Sequence, residues 1–264
     1  MPEHSWDAAG YDERFSFVTE RGVDLLELVD AGPQDRILDL GCGTGHQAAA
    51  LAATGAVVVG VDADDAMLAS ARRAYPLLQF QRGDGQDLPI GALLRAVGDR
   101  PYDVVLSNAA LHWMPDQDAV VAGVGRLLRP GGRFVAELGG VGNVARLADA
   151  IDAGRHAVGL GPVPMPWTFP TPAQAATLLE RHGFRVRSLA LFDRPTPLAD
   201  GDSAATWATM FVADLLTDVP AGRRSELAEA IDARARRLGL AERPDGAPGW
   251  WGDYVRLRFV AEQR

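Results

Sequence analysis

Residues 36–45 read RILDLGCGTG, a short aliphatic strand pattern that runs into three glycines at alternate positions, Gly41, Gly43 and Gly45. Glycines at the end of a strand give up side-chain packing and backbone rigidity, so they indicate that another group approaches the backbone closely. An alanine-rich helical pattern follows at 46–55. The stretch therefore predicts a ligand at the turn between the first strand and the next helix.

Strand and helix patterns alternate on both sides of this turn. Aliphatic or β-branched strand patterns occur in the first half of the chain at 36–40, 56–64, 78–84, 102–108 and 133–138. Helical segments separate them, and right-handed crossovers of this length build a parallel, doubly wound sheet. Two later strand patterns, at 185–193 and 251–264, bring the predicted α/β sheet to seven mostly parallel strands.

The second half of the chain is less regular. Amphipathic helical patterns fill 141–182 and 200–250, with a proline-rich loop in the first of these ranges. We expect one domain over 1–264, in which 1–140 holds an amino-terminal lid segment and the binding core. The two helical insertions are expected to form a lid over an acceptor pocket, and 251–264 is expected to be the last strand.

Composition narrows the choice of partner. The 264 residues carry a formal charge of -9, which disfavours a nucleic-acid backbone as ligand. Cys42 is the single cysteine, so neither an intrachain disulfide nor a cysteine-based zinc site is possible. The polar start of the chain, MPEHSWDAAGYDER, lacks an apolar signal region. We expect a cytoplasmic monomer or homodimer that acts on a small molecule, without metal or membrane.

The spacing of the glycines separates two cofactor classes. Dinucleotide-binding proteins use G-x-G-x-x-G, but here His46 takes the third glycine position and the pattern is G-x-G-x-G. Preceded by Asp39, it resembles motif I of the class I S-adenosylmethionine-dependent methyltransferases of the methyltransferase domain 11 or 25 type. We expect Asp39 to orient the turn through backbone hydrogen bonds.

The resemblance continues along roughly residues 10–140. Asp62 ends the second strand, where an acidic side chain accepts ribose hydroxyls, and Asp84 ends the third, where this family places an acid near the adenine amino group. The segment NAALHWMPD (108–116) is similar to trans-aconitate and malonyl-carrier-protein methyltransferases, and LLRPGGRFVAEL (127–138) to a late family motif.

This resemblance implies a Rossmann-like fold with S-adenosylmethionine as cofactor and S-adenosylhomocysteine as product. It also implies a set of cofactor-binding residues, namely Tyr11, Gly41, Cys42, Gly43, His46, Asp62, Ala63, Met67, Gly83, Asp84, Gly85, Asn108 and Ala109. His46 is either a ligand neighbour or the start of the helix.

His112 is the candidate catalytic residue. It follows the fourth strand, and a neutral imidazole there accepts a proton from a substrate hydroxyl or amine. The alternative is a His-Trp pair that packs the loop, and a carboxylate acceptor needs no base. Four aromatic residues are candidates for the acceptor pocket, although burial in the core is the commoner fate of such side chains: Phe17, Trp113, Trp167 and Trp207.

Three functions remain open. The leading hypothesis is a methyltransferase that modifies oxygen, nitrogen or carbon of a small molecule, such as a carboxylate or a natural-product intermediate. A cyclase, decarboxylase or regulatory binder on the same cofactor is the alternative, because a fold does not dictate a function. An NAD-dependent oxidoreductase is disfavoured by the glycine spacing and by Asp84.

Overall fold

The computed structural model describes residues 23–264. The chain forms two compact units. The first holds the described residues up to Gly139 together with Thr168–Leu191 and Leu257–Arg264, and the second holds Gly140–Trp167 and Phe192–Arg256. The expected single domain over 1–264 therefore stays a prediction.

Within residues 23–264, seven strands form one sheet in the order β3-β2-β1-β4-β5-β7-β6. Their bounds are β1 Arg36–Leu40, β2 Val57–Asp62, β3 Gln79–Arg82, β4 Tyr102–Asn108, β5 Leu128–Gly139, β6 Phe184–Pro197 and β7 Trp251–Gln263. β1 pairs in parallel with β2 and β4, β2 with β3, and β4 with β5. The predicted seven-stranded, mostly parallel α/β sheet is confirmed.

Helices lie between the strands as the periodicity predicts. In the first unit they are α1 Val23–Val29, α2 His46–Ala52, α3 Asp65–Ala74, α4 Ile90–Ala96, α5 Gln117–Leu127 and α7 Pro172–Arg181. Side chains cap several of them: Asp64 accepts the N–H groups of Ala66 and Met67 at the start of α3. The second unit contains α6 Ala145–Ala157, α8 Ala204–Phe211 and α9 Arg224–Arg237.

The fifth strand begins five residues earlier than its pattern predicts. The helical pattern at 116–132 predicts a stop at Pro-Gly-Gly, but α5 already ends at Leu127 and β5 starts at Leu128 rather than at 133. The pairing register with β4 shifts between Tyr102 and Val104, so the extra residues of β5 form an irregularity in the ladder. Gly131 takes up a positive φ of 74° there, which glycine tolerates without strain.

Apolar side chains cover both faces of the sheet in the first unit. Leu38 and Leu40 of β1 belong to one buried cluster, and Ile37 belongs to a second cluster. Alternate residues of a strand point to opposite faces, so both faces of β1 are buried, as expected for a central parallel strand. The sheet therefore leaves its strand ends, rather than its faces, to ligands.

The second unit has its own buried centre. Gly154 of α6 lies so close to α9 that a Cβ atom there would come within 2.4 Å of the Ile231 side chain. Trp207 of α8 is buried and donates its indole N–H to the Tyr254 hydroxyl at 2.8 Å. Across residues 23–264, no helix combines the length and the apolar character needed to cross a membrane.

Candidate active site at the carboxyl ends of the strands

The first two glycines of the turn after β1 have different surroundings. Gly41 adopts a φ of 77°, and a Cβ atom there would lie 2.2 Å from the Cβ of Ala110. Gly43 also has a positive φ, 53°, but an added Cβ would meet no atom of the described chain within 4 Å. Gly41 is thus required by packing, whereas Gly43 leaves bare backbone beside open space.

Gly45 serves packing rather than ligand approach. A Cβ atom at this position would lie 2.8 Å from the ring of Phe80, and one at Gly60 would lie 2.6 Å from the same ring. The third glycine of the turn therefore lets α2 approach β3 closely. Its φ of 86° also makes Gly45 a left-handed amino-terminal cap of α2.

Asp62 is held rigidly at the end of β2. One carboxylate oxygen accepts the N–H of Gly43 at 2.8 Å, and the other accepts the N–H of Asp64 at 2.9 Å. Burial raises the pKa of Asp62, and the two N–H donors oppose that rise. Each oxygen keeps acceptor capacity, so the side chain is placed to accept hydroxyl groups of a ligand.

Asp39 does not orient the glycine turn, and that expectation is wrong. Its side chain is 1% exposed, and within residues 23–264 neither carboxyl oxygen has a hydrogen-bond partner. Burial, followed by the charge of Asp62, raises the pKa of Asp39 to about 7, while the approach of the Ala48 N–H offsets part of the rise. The turn is instead tied to β2, because the N–H groups of Gly41 and Cys42 donate to the Val61 carbonyl.

The segment after β3 presents an exposed carboxylate. Asp84 accepts the backbone N–H of Gln86 at 2.9 Å, and the Gln86 amide donates to the same carboxylate. Glycine on either side of Asp84 allows close packing: a Cβ at Gly83 would lie 3.0 Å from Val61, and one at Gly85 would lie 2.6 Å from the sulfur of Met114. These contacts fix Asp84 at the same edge as Asp62, since β2 and β3 are parallel neighbours.

The carboxyl end of β4 lies at the same edge of the sheet as the glycine turn. Ser107 donates its hydroxyl to the Leu40 carbonyl at 2.8 Å, which joins β4 to β1 directly before the glycine turn. Asn108 ends the strand, and Ala109 adopts a left-handed φ of 54° while its N–H donates to the Glu137 carbonyl. The strand order reverses between β1 and β4, which is where open α/β sheets bind their ligands.

His112 lies in a short 3-10 turn, Leu111–Trp113, that follows β4. The side chain is buried, and its Nδ1 accepts the Gly139 N–H at 3.3 Å. A nitrogen that accepts an N–H carries no proton, so the neutral ring has its proton on Nε2. The imidazole also contacts the Phe169 ring, and the backbone carbonyl of His112 accepts the Thr168 N–H.

Four further residues of the predicted cofactor-binding set differ in their exposure. Cys42 is buried, and burial, followed by the charges of Asp39 and Asp62, raises the pKa of its thiol. The Nδ1 of His46 lies 2.7 Å from the Tyr75 hydroxyl. Met67 is buried in α3, whereas Ala63 is exposed.

The aromatic candidates divide between the two units. Trp113 is half-buried in the first unit and contacts the His112 ring. Trp167 and Trp207 belong to the second unit, where their ring centres are 6.0 Å apart and Trp207 is almost fully buried. Tyr11 and Phe17 lie outside the described residues.

Other residues near the site were missed by the sequence interpretation. Phe169 packs on His112, and Glu137 is buried on β5 in an ion pair with Arg258 at 2.7 Å. Gln86 connects two loops, because it donates to Asp84 and accepts the Asp116 N–H. A serine inside a buried strand, Ser107, carried a usable signal, since a hydroxyl there needs a specific partner; the other contacts join residues far apart in sequence.

Comparisons with known proteins agree with this architecture. Residues 38–136 match the methyltransferase domain family. The full chain is 32% identical over 278 residues to an uncharacterized methyltransferase of Schizosaccharomyces pombe, with all of both chains covered. It is 41% identical over 137 residues to a trans-aconitate 2-methyltransferase of Deinococcus radiodurans, an alignment that spans 51% of this chain and 49% of that protein.

A solved structure extends the likeness to the fold. The YcgJ protein of Bacillus subtilis superposes with a TM-score of 0.62 at 17% identity, covering 92% of this chain and 97% of that one. At such low identity the match shows the fold alone. Together with the full-length relative and the domain match, the glycine turn and Asp62 show that the chain belongs to the class I S-adenosylmethionine-dependent methyltransferases.

Proposed function

We propose that the protein transfers a methyl group from S-adenosylmethionine to a small carboxylic acid. The observation that carries the acceptor class is the hydrogen bond from the Gly139 N–H to Nδ1 of His112. In this bond the candidate catalytic residue, His112, already uses one ring nitrogen as an acceptor. A carboxylate is ionised at neutral pH and needs no base, whereas a hydroxyl or an ammonium group must lose a proton first.

The residues at the strand ends fit the cofactor in charge and in space. Gly43 offers backbone beside open space, and Asp62 offers two oriented carboxylate oxygens that suit ribose hydroxyls. Asp84 is exposed at the same edge, where it suits the adenine amino group. The buried carboxyl of Asp39, without a partner among the described residues, suits a ligand that carries positive charge.

Methyl transfer from a sulfonium mainly requires the protein to position the cofactor and the acceptor. When bound, the cofactor supplies a methyl group on a sulfonium, which any aligned nucleophile can accept. The chain positions the reactants and excludes water, and such effects account for a large part of the barrier in two-substrate reactions. In this proposal His112 donates through Nε2 to orient the acceptor carboxylate and does not remove a proton.

The relatives support the carboxylate class. The trans-aconitate 2-methyltransferase of Deinococcus radiodurans, whose name indicates a tricarboxylic acid acceptor, aligns over about half of this chain. The chain spans about half the length of that relative, so its substrate is not transferred as a fact. The substrate of that relative indicates which compounds to test first.

The test is a methyl-transfer screen with cofactor labelled in the methyl group. The panel holds small mono-, di- and tricarboxylic acids, trans-aconitate among them, beside alcohols and amines of matched size. We expect label in a carboxylic acid as a methyl ester that is released by mild base. Transfer to an alcohol or an amine, with no carboxylic acid labelled, would contradict the acceptor class.

A binding experiment tests the cofactor separately. Calorimetry is expected to show that S-adenosylhomocysteine binds the protein and that NAD does not. Binding of NAD without binding of S-adenosylhomocysteine would overturn the whole proposal, whatever the screen shows.

A further inference from the structure

Asp39 has a position that the proposed reaction does not yet use. It lies on the central strand β1, with Cα partners Gly60 on β2 and Leu106 on β4. Its side chain is 1% exposed, and both carboxyl oxygens lack a hydrogen-bond partner within the part of the chain that the structure describes. Buried polar groups are normally paired, so an orphaned carboxyl at a ligand-binding edge indicates a missing partner.

The charges around Asp39 are predominantly negative. Asp62 faces it from the end of β2, and the Cys42 thiol lies in the turn between β1 and α2. From α2 the Ala48 N–H approaches the Asp39 carboxyl, and the His46 ring of that helix lies beside the Tyr75 hydroxyl.

Positive charge is scarce at the same place. Arg72 of α3 acts on the Cys42 thiol, but its guanidinium donates to the Phe80 carbonyl. Within residues 23–264, neither Asp39 nor Asp62 forms an ion pair with a basic side chain. Two neighbouring carboxyls without a cation favour a proton on one of them, and the more deeply buried one holds it.

We propose that Asp39 distinguishes S-adenosylmethionine from S-adenosylhomocysteine by its charge: the protonated fraction of Asp39 in the free protein stays protonated in the product complex, and releases its proton to solvent when the sulfonium cofactor binds. The inference rests on the proposed function, because it requires the cofactor to bind at the glycine turn. It assigns Asp39 a positioning and specificity role rather than a step in the chemistry.

The difference between the two ligands is one positive charge. Both carry the same ammonium, carboxylate and adenosine groups, and only S-adenosylmethionine carries a sulfonium. A nearby cation favours the ionised carboxylate, so the neutral acid loses its proton to solvent as that cation binds. After methyl transfer the positive charge has left the ligand, and Asp39 takes a proton back, which lowers the preference of the site for product over fresh cofactor.

Proton linkage gives the expected size. The pKa of Asp39 is raised to about 7, so the residue is close to half protonated at pH 7. Binding that requires the ionised form weakens by about tenfold between pH 8 and pH 6. S-adenosylhomocysteine should lose less than about threefold over the same range, because it does not displace the proton.

The experiment measures proton release directly, without turnover. Calorimetric titrations of each ligand into the full chain are run at pH 6, 7 and 8 in two buffers with different ionisation enthalpies. We expect about half a proton released per S-adenosylmethionine bound at pH 7, little release at pH 8, and little with S-adenosylhomocysteine at any pH. Equal release with both ligands would overturn the inference.

Two variants assign the proton to a residue. Asp39→Asn keeps the shape of the side chain and removes its charge, so proton release and the pH dependence of the affinity ratio should disappear. Asp253→Asn is the control, because burial also raises the pKa of that carboxyl, which accepts the Arg146 and Leu147 N–H groups in the second unit. It should release protons as the wild type does.

The outcomes separate this inference from the proposed function. If both ligands bind and their affinity ratio does not change with pH, the cofactor assignment stands and the role of Asp39 is wrong. Wild-type proton release in Asp39→Asn would likewise contradict the assignment to this residue. If neither ligand binds at any pH, the proposed function fails, and the inference fails with it.

Discussion

Two equally buried charged side chains, one in each unit, have opposite surroundings. Arg155 of the second unit donates to both oxygens of Asp218 at 2.8 Å and to the carbonyls of Gly161 and Leu215. Asp39 of the first unit has no partner for either oxygen within residues 23–264. A buried charge with all its partners in place has most of its desolvation cost offset, whereas one that is left unpaired lowers stability and points to a ligand.

The largest expected effect is on Arg155. Arg155→Met removes the donors to one carboxylate and two carbonyls, so we expect the free energy of unfolding to fall by about 3 kcal/mol. Urea denaturation measures it. Arg234→Met, which removes an exposed ion pair with Asp149, is the matched control and should have little effect. An equal loss of unfolding free energy in the two variants would show that the buried ion pair of Arg155 contributes no more stability than the exposed pair of Arg234.

The glycine turn gives the next contrast. Gly41→Ala forces both a left-handed backbone and an overlap with Ala110, so we expect a loss of about 3 kcal/mol in stability. Gly43→Ala suffers only the backbone strain, about 1 kcal/mol, because its Cβ enters open space. The Gly43 variant should nevertheless lose more affinity for S-adenosylhomocysteine, measured on folded protein, than its stability loss suggests. If the Gly43 variant binds S-adenosylhomocysteine with unchanged affinity, the ligand does not contact the backbone at Gly43.

Asp39→Asn should raise stability, opposite to Arg155→Met. The raised pKa means that the folded state keeps a proton that the unfolded state loses between about pH 4 and 7, so wild-type stability falls across that window and is level above it. We expect the variant to gain about 2 kcal/mol at pH 8 and almost nothing at pH 4. Denaturation at the two pH values measures the difference. A loss of stability at pH 8 would show that the ionised carboxylate has a partner.

The pairing of Asp62 is intermediate between that of Arg155 and that of Asp39. Its carboxylate oxygens accept hydrogen bonds but keep acceptor capacity. Asp62→Ala should weaken binding of S-adenosylhomocysteine by about 1.5 kcal/mol or more, because charge-assisted hydrogen bonds to the ligand are lost. Calorimetry on the folded variant checks this. Wild-type affinity would mean that the carboxylate only closes the turn through Gly43 and Asp64.

The smallest expected effect concerns His112. If it orients the acceptor rather than removing a proton, kcat/KM of His112→Gln should fall by less than about tenfold, with KM rising more than kcat falls. The pH–rate profile of the wild type should lack an ascending limb that belongs to this imidazole. An ascending limb that disappears in the variant would restore the general-base interpretation.

Local patterns were sufficient for most of the fold. The strand patterns at 36–40 and 102–108 match β1 and β4 residue for residue, because a buried parallel strand is a continuous apolar run. The start of β5 could not be predicted, because Leu128–Gly132 reads as a helix stop and becomes strand only by pairing with β4.

The sequence by itself determined the α/β fold, the glycine turn and the acid that ends β2, because strand periodicity, glycine spacing and chain order are local properties. Only the tertiary structure decided what each of these groups does. It showed that Gly45 packs on Phe80, that Gly43 is open, and that Asp39 is buried without a partner among the described residues. These are facts about neighbours distant along the chain, and the pKa of a carboxyl or the tautomer of His112 depends on such neighbours rather than on the residues beside it.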